Sequence, residues 1–149
     1  MKMIIAGVGT GGHLFPGVAI AEEFLARDRN NSVLFIGTER GLEKRVLGEL
    51  GYPLRILDIE GIKGRSFGNV LTALAKIPKS LLEAAGIINE FRPDIVIGVG
   101  GYASGPAVLM AYLKGIKTAI AEQNAFPGLT NRILGNFAHR IFLSFAESD

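Results

Sequence analysis

A buried strand that runs straight into a cluster of glycines leaves a chain few ways to fold. Here Met3-Ile4-Ile5-Ala6 is a short apolar run, and Gly7-Val8-Gly9-Thr10-Gly11-Gly12-His13-Leu14-Phe15-Pro16 follows it directly. The run reads as a strand over about Lys2 to Val8. Glycine tolerates φ > 0 and lets another molecule approach the backbone. Proline suits the first turn of a helix, where its missing N–H costs nothing, so a helix is expected from about Pro16 to Arg27. The result is a strand–loop–helix corner with free N–H groups, which favours a phosphate or a sugar hydroxyl. One of the chain's two histidines, His13, sits in that corner.

The same alternation continues to the end. Ser32–Gly37 reads as strand two, apolar throughout and so buried on both faces. Helix two spans about Leu42 to Leu50, and strand three about Pro53 to Leu57. Gly61 to Gly68 is a basic, glycine-rich connection. Helix three spans about Asn69 to Phe91 with a bend expected at Pro78. Strand four, Ile95–Val99, runs into a second glycine turn, Gly98-Val99-Gly100-Gly101-Tyr102-Ala103-Ser104-Gly105-Pro106. Helix four is expected over Pro106–Leu113, strand five over Lys117–Ala121, helix five over Leu129–Asn136 and strand six over Arg140–Leu143. Between strand five and helix five lies the polar loop Glu122-Gln123-Asn124-Ala125-Phe126-Pro127-Gly128.

Strict strand–helix alternation predicts an α/β fold: a Rossmann-like, doubly wound, parallel six-stranded sheet in the order 3-2-1-4-5-6. In such sheets ligands bind beyond the carboxyl ends of the strands, where the order reverses. Topology alone then converges three distant segments: Thr10 to His13, Gly100 to Ser104, and Glu122 to Asn124. At 149 residues and 48% hydrophobic, the chain is one domain with a sizeable core.

Several functions are disfavoured. A net charge of +2 does not argue for nucleic acid. No cysteine is present, so there is no disulfide framework and no thiolate metal site. No apolar run is long enough for a signal peptide or a membrane span. Gly7-Val8-Gly9-Thr10-Gly11-Gly12 matches the dinucleotide pattern G-x-G-x-x-G, but the nearest acid for the ribose, Glu39, lies beyond strand two. A nicotinamide or flavin module therefore ranks low. Walker-type and nucleophile-elbow patterns are absent, and His13 and His139 lack the spacing of a metal pair.

The remaining residues have two readings each. His13 either caps the first helix or does acid–base chemistry. Glu122 and Asn124 either cap their own loop or serve a ligand and His13. His139, beside Arg140 at the start of a strand, reads as structural.

Three long motifs carry a resemblance. Ala6 to Gly17, Gly98 to Pro106 and Glu122 to Asn131 are similar, in order and spacing, to the two glycine loops and the Glu-Gln-Asn loop of the MurG family. These are bacterial transferases that move N-acetylglucosamine from UDP-GlcNAc to the 4-hydroxyl of MurNAc in undecaprenyl-pyrophosphoryl-MurNAc-pentapeptide (lipid I), for peptidoglycan. Val8 departs from a common family glycine. The resemblance covers the N-terminal half of a GT-B architecture, so residues 1–149 are expected to be the acceptor-binding domain, with the C-terminal donor-nucleotide domain absent and the isolated chain inactive. It implies that Thr10, Gly11, Gly12 and Asn124 touch the donor, and that Gly100, Gly101, Tyr102 and Ser104 belong to the substrate site. His13, with Glu122 nearby, is the implied base. No cofactor and no metal are expected.

Helix three carries a broad apolar set, with Leu71, Leu74, Ile77 and Leu81 beside Lys76 and Lys79, and Tyr112 ends helix four nearby. Most of this set must face the core. The excess also suits an anionic membrane surface, and the resemblance implies a peripheral enzyme on the cytoplasmic face of the bacterial inner membrane. Apolar surface left uncovered can also drive self-association. The alternative reading is a non-catalytic, membrane-recruiting subunit of a split glycosyltransferase.

Overall fold

The computed structural model describes residues 1–9, 11–39, 41–59 and 67–145; for residues 41–42 and 67–75 only the backbone is described. Thr10, the connection over 60–66, and the side chains of Leu71 and Leu74 lie outside the described residues.

Six strands form one sheet in the order β3-β2-β1-β4-β5-β6, every neighbouring pair parallel. They are β1 (Lys2–Ala6), β2 (Ser32–Gly37), β3 (Leu54–Ile56), β4 (Ile95–Gly98), β5 (Lys117–Glu122) and β6 (Arg140–Leu143). The helices between them are α1 (Gly11–Arg27), α2 (Gly41–Glu49), α3 (Phe67–Phe91), α4 (Ser104–Leu113) and α5 (Leu129–Leu134). Order and direction agree with the sequence expectation.

Both faces of the central strands are buried, which is why β1 reads as a continuous apolar run. Met3 and Ile5 join Leu14, Val18, Ala21, Phe35 and Leu47 in the layer under α1 and α2. Ile4 and Ala6 point the other way, into a core with Ala84, Ile88, Ala107, Val108, Ala111 and Leu134 from α3, α4 and α5. Among the described residues, no helix is long and apolar enough to cross a membrane.

Two helix starts differ from expectation. Helix α1 begins at Gly11 rather than Pro16, so Pro16 lies inside it. Proline has no N–H to give the carbonyl four residues back, that of Gly12. This loss falls close to the helix end, where other backbone groups also lack helical partners. Helix α4 begins at Ser104, which places Pro106 in its first turn. In both cases glycine or serine reads locally as loop while tertiary packing makes it helix. Helix α3 runs unbroken through Pro78, and α5 is shorter than its apolar pattern suggests.

Candidate active site

The two glycine loops interlock at the carboxyl ends of β1 and β4. Gly7 has φ +103°, and any side chain there would overlap the Gly100 carbonyl. Gly101, at φ +73°, faces back: a Cβ on it would stand 2.6 Å from the Gly7 oxygen. Backbone bonds fix the junction, from Gly7 N–H to the Ile36 carbonyl at 2.9 Å and from Val99 N–H to that of Ala6 at 2.9 Å. Ser104 completes it from inside. It is fully buried, and its hydroxyl lies 2.7 Å from the carbonyl oxygens of both Gly100 and Gly101. This geometry makes Ser104 a brace for the loop, turned away from the rim where a ligand would sit.

His13 extends from the first turn of α1 onto Gly100. A Cβ on Gly100 would come within 2.7 Å of both Cδ2 and Nε2 of the imidazole, so the ring occupies the place of the absent side chain. Partial burial lowers the His13 pKa from its ordinary value, and the negative charge of Glu122 opposes that shift in part. The net effect is an imidazole that is neutral near pH 7 and can accept a proton.

Glu122 ends β5 and is only 3% exposed. One carboxylate oxygen accepts the backbone and side-chain N–H of Asn124, both at 2.9 Å. The other accepts the Gly128 N–H at 3.1 Å and the Asn131 side-chain amide at 2.9 Å. Burial pushes this carboxyl up, but the bonds from Asn124, Asn131 and Gly128 outweigh it and hold the pKa below the ordinary value. Glu122 therefore stays ionised, organises the loop that carries Asn124, and acts on His13 through its charge. These four bonds fit the loop-capping reading of this residue.

Gly11, Gly12, His13, Gly100, Gly101, Tyr102, Glu122 and Asn124 thus gather on the loops at one end of the sheet. Gly12, Tyr102 and Asn124 are exposed there. Sequence reasoning gave no role to two buried polar residues at this end. Asn131, on α5, reaches under the loop to Glu122, and among the described residues its Oδ1 has no hydrogen-bond partner, as is also true of Gln123 Oε1. Glu43, in the first turn of α2, is fully buried and accepts the Thr38 N–H at 3.1 Å. The available signal was an acid in a helix's first turn, where it complements the helix dipole.

The second expected surface lies along α3 and at the end of α4. Helix α3 packs on α4. Ile77 and Leu81 are half-buried, while Leu82 is 76% exposed. Lys79 and Lys76 both direct their ammonium groups to Asp58, at 2.7 and 3.0 Å. Tyr112 is half-exposed, with its ring 5.7 Å from those of Phe137 and His139. His139 is structural, as expected: its Nδ1 lies 2.8 Å from the Thr118 hydroxyl.

Known proteins give the same picture. The chain is 66% identical over 147 residues to the UDP-N-acetylglucosamine--N-acetylmuramyl-(pentapeptide) pyrophosphoryl-undecaprenol N-acetylglucosamine transferase of Syntrophus aciditrophicus, covering 99% of this chain and 41% of that one. The protein of the same name from Myxococcus xanthus is 52% identical over 148 residues, with 99% and 39% covered. The crystal structure of Acinetobacter baumannii MurG superposes with a TM-score of 0.85 at 34% identity, covering 99% of this chain and 43% of that one. The chain thus spans about two fifths of the length of the curated relatives it matches. The family model described as Glycosyltransferase family 28 N-terminal domain matches residues 3–143, from β1 to the end of β6. With the sheet order, the interlocked glycine loops and this match in agreement, the chain belongs to the glycosyltransferase family 28 N-terminal domains, the Rossmann-like half of a GT-B glycosyltransferase.

Proposed function

We propose that this chain is the acceptor-binding half of an inverting transferase that moves GlcNAc from UDP-GlcNAc to the 4-hydroxyl of MurNAc in undecaprenyl-pyrophosphoryl-MurNAc-pentapeptide. The observation that carries the reading is the His13 imidazole held on Gly100 at the rim where three loops meet, where partial burial lowers its pKa. The names of the relatives support the substrates.

In this reading the acceptor hydroxyl attacks the anomeric carbon opposite the departing UDP. The new C–O bond forms as the bond to the β-phosphate oxygen breaks, through a transition state of oxocarbenium character. His13 takes the hydroxyl proton as the bond forms. Glu122 stabilises the imidazolium that results, and keeps Asn124 in place at the rim. The N–H groups that open α1 favour the donor or the acceptor pyrophosphate. The half-exposed face of α3 and α4 rests on anionic lipid, where such an acceptor is anchored.

The test joins this chain to the C-terminal remainder of the Syntrophus aciditrophicus relative and supplies UDP-GlcNAc with a soluble lipid I analogue. The chimera should form the inverted product, and the 149-residue chain alone should not. His13→Ala should lower kcat by about 10²–10⁴-fold. Full activity of His13→Ala, or turnover by the isolated chain, contradicts the proposal.

A further inference from the structure

We infer that Glu43 is a positioning residue, whose buried carboxylate sets the first glycine loop and, through it, the turn of α1 that presents His13. Only the consequence for turnover rests on the reaction proposed above.

The carboxylate lies between the ends of β1 and β2. Its Oε2 accepts the Thr38 backbone N–H at 3.1 Å, and its Oε1 is 3.4 Å from the Thr38 hydroxyl. A Cβ on Gly9 would meet Oε1 at 3.3 Å, and a side chain on Gly37 would overlap Oε2. The acid is thus packed against two glycines, Gly9 in the first glycine loop and Gly37 at the end of β2, and this contact exists because both lack side chains. Gly9 in turn donates its N–H to the Gly7 carbonyl at 2.8 Å, and Gly7 is the residue interlocked with Gly100. A connected path of contacts therefore runs from Glu43 through Gly9 and Gly7 to Gly100, the glycine on which the His13 ring rests.

A simple helix cap does not explain the burial. An acid in the first turn of a helix stabilises it equally well from the surface. Placing a carboxylate where it is 0% exposed is costly unless it is paired or hydrogen-bonded. Here its contacts are with the glycine loop and the β2–α2 turn, not with α2 alone.

Three variants separate positioning from capping. In Glu43→Gln the amide keeps the shape: its oxygen accepts from Thr38 N–H and its NH2 donates to the Thr38 hydroxyl. Glu43→Asp is too short to reach, and Glu43→Ala removes the group. In spectra of the isotope-labelled chain, the amides of Gly9, Gly11 and Gly12 and the imidazole of His13 should shift in Asp and Ala and stay near wild type in Gln. In the chimera, the Ala variant should lose about 10²-fold in kcat/KM, as a misplaced catalytic group does, with Gln restoring the rate. Loop and imidazole signals unchanged in both Ala and Asp, with only the melting temperature lowered, would overturn the inference. The spectra decide it without turnover, so an inactive wild-type chimera counts against the proposed reaction and not against Glu43.

Discussion

The imidazole of His13 lies where a side chain on Gly100 would be, with Cδ2 and Nε2 both 2.7 Å from that residue's virtual Cβ. Gly100→Ala therefore carries two penalties: the ring must move, and alanine must adopt φ +105°. Backbone strain of this kind costs about 1–3 kcal/mol. Gly115→Ala is the control, because Gly115 also has positive φ, +71°, but open space around it. Both variants should lose stability in denaturant titrations. Only Gly100→Ala should shift the His13 imidazole resonances and abolish transfer by the chimera.

The pH dependence follows from two shifts with the same consequence. His13 has a folded pKa below its ordinary 6.5. As pH falls through 6.5 the unfolded chain takes up this proton first, so stability declines until the folded pKa is passed. Glu122 has a folded pKa below its ordinary 4.5, so its contribution is present above that pH and lost as pH falls through the folded value. Denaturant midpoints should fall in two acid steps. His13→Asn should flatten the first and leave the second.

Glu122→Gln tests the hub of the β5–α5 loop. A carboxylate serves four N–H groups there. A glutamine has one accepting oxygen and an NH2 that faces other donors. The bond from Asn131 is buried, and leaving a buried donor unpaired costs about 1–3 kcal/mol, so a loss in that range is expected. The His13 pKa should also drop further, since the Glu122 charge raises it. Titration of the imidazole resonances measures that change directly.

Asp58 is the residue expected to tune the proposed contact with anionic lipid. Its carboxyl is held below the ordinary value chiefly by the hydrogen bond from Lys79, then by that from Lys76. Those lysines are thereby partly neutralised on the face proposed to meet anionic lipid. Asp58→Asn should increase sedimentation with anionic vesicles and leave neutral vesicles unaffected, and added salt should reverse the gain. The Leu81→Glu, Lys79→Glu double variant should reduce binding; equal partitioning with wild type would count against this face.

Much of this was legible before any coordinates. Alternation of apolar runs with amphipathic stretches gives parallel β–α–β units, and their handedness leaves one economical order for the strands. That order brings Gly11, Gly100 and Asn124 to the same rim. What stayed hidden was direction. Ser104 sits in a glycine loop just as a ligand group would, and only packing shows its hydroxyl turned inward onto Gly100 and Gly101. Glu43 reads as a surface acid of α2 because nothing local predicts two glycines closing over it. The start of α1 at Gly11 was masked by glycine's weak helix preference, which tertiary contacts override.

An acceptor sugar on pyrophosphate is proposed to dock at the rim formed by the loops after β1, β4 and β5. Titrating the isotope-labelled chain with a soluble lipid I head-group analogue measures this most directly. Saturable shifts are expected at Gly11, Gly12, His13, Gly100, Gly101, Tyr102 and Asn124. No saturable shift at these residues, or shifts confined to the opposite end of the sheet around Asn89, Arg92 and Lys114, would contradict it.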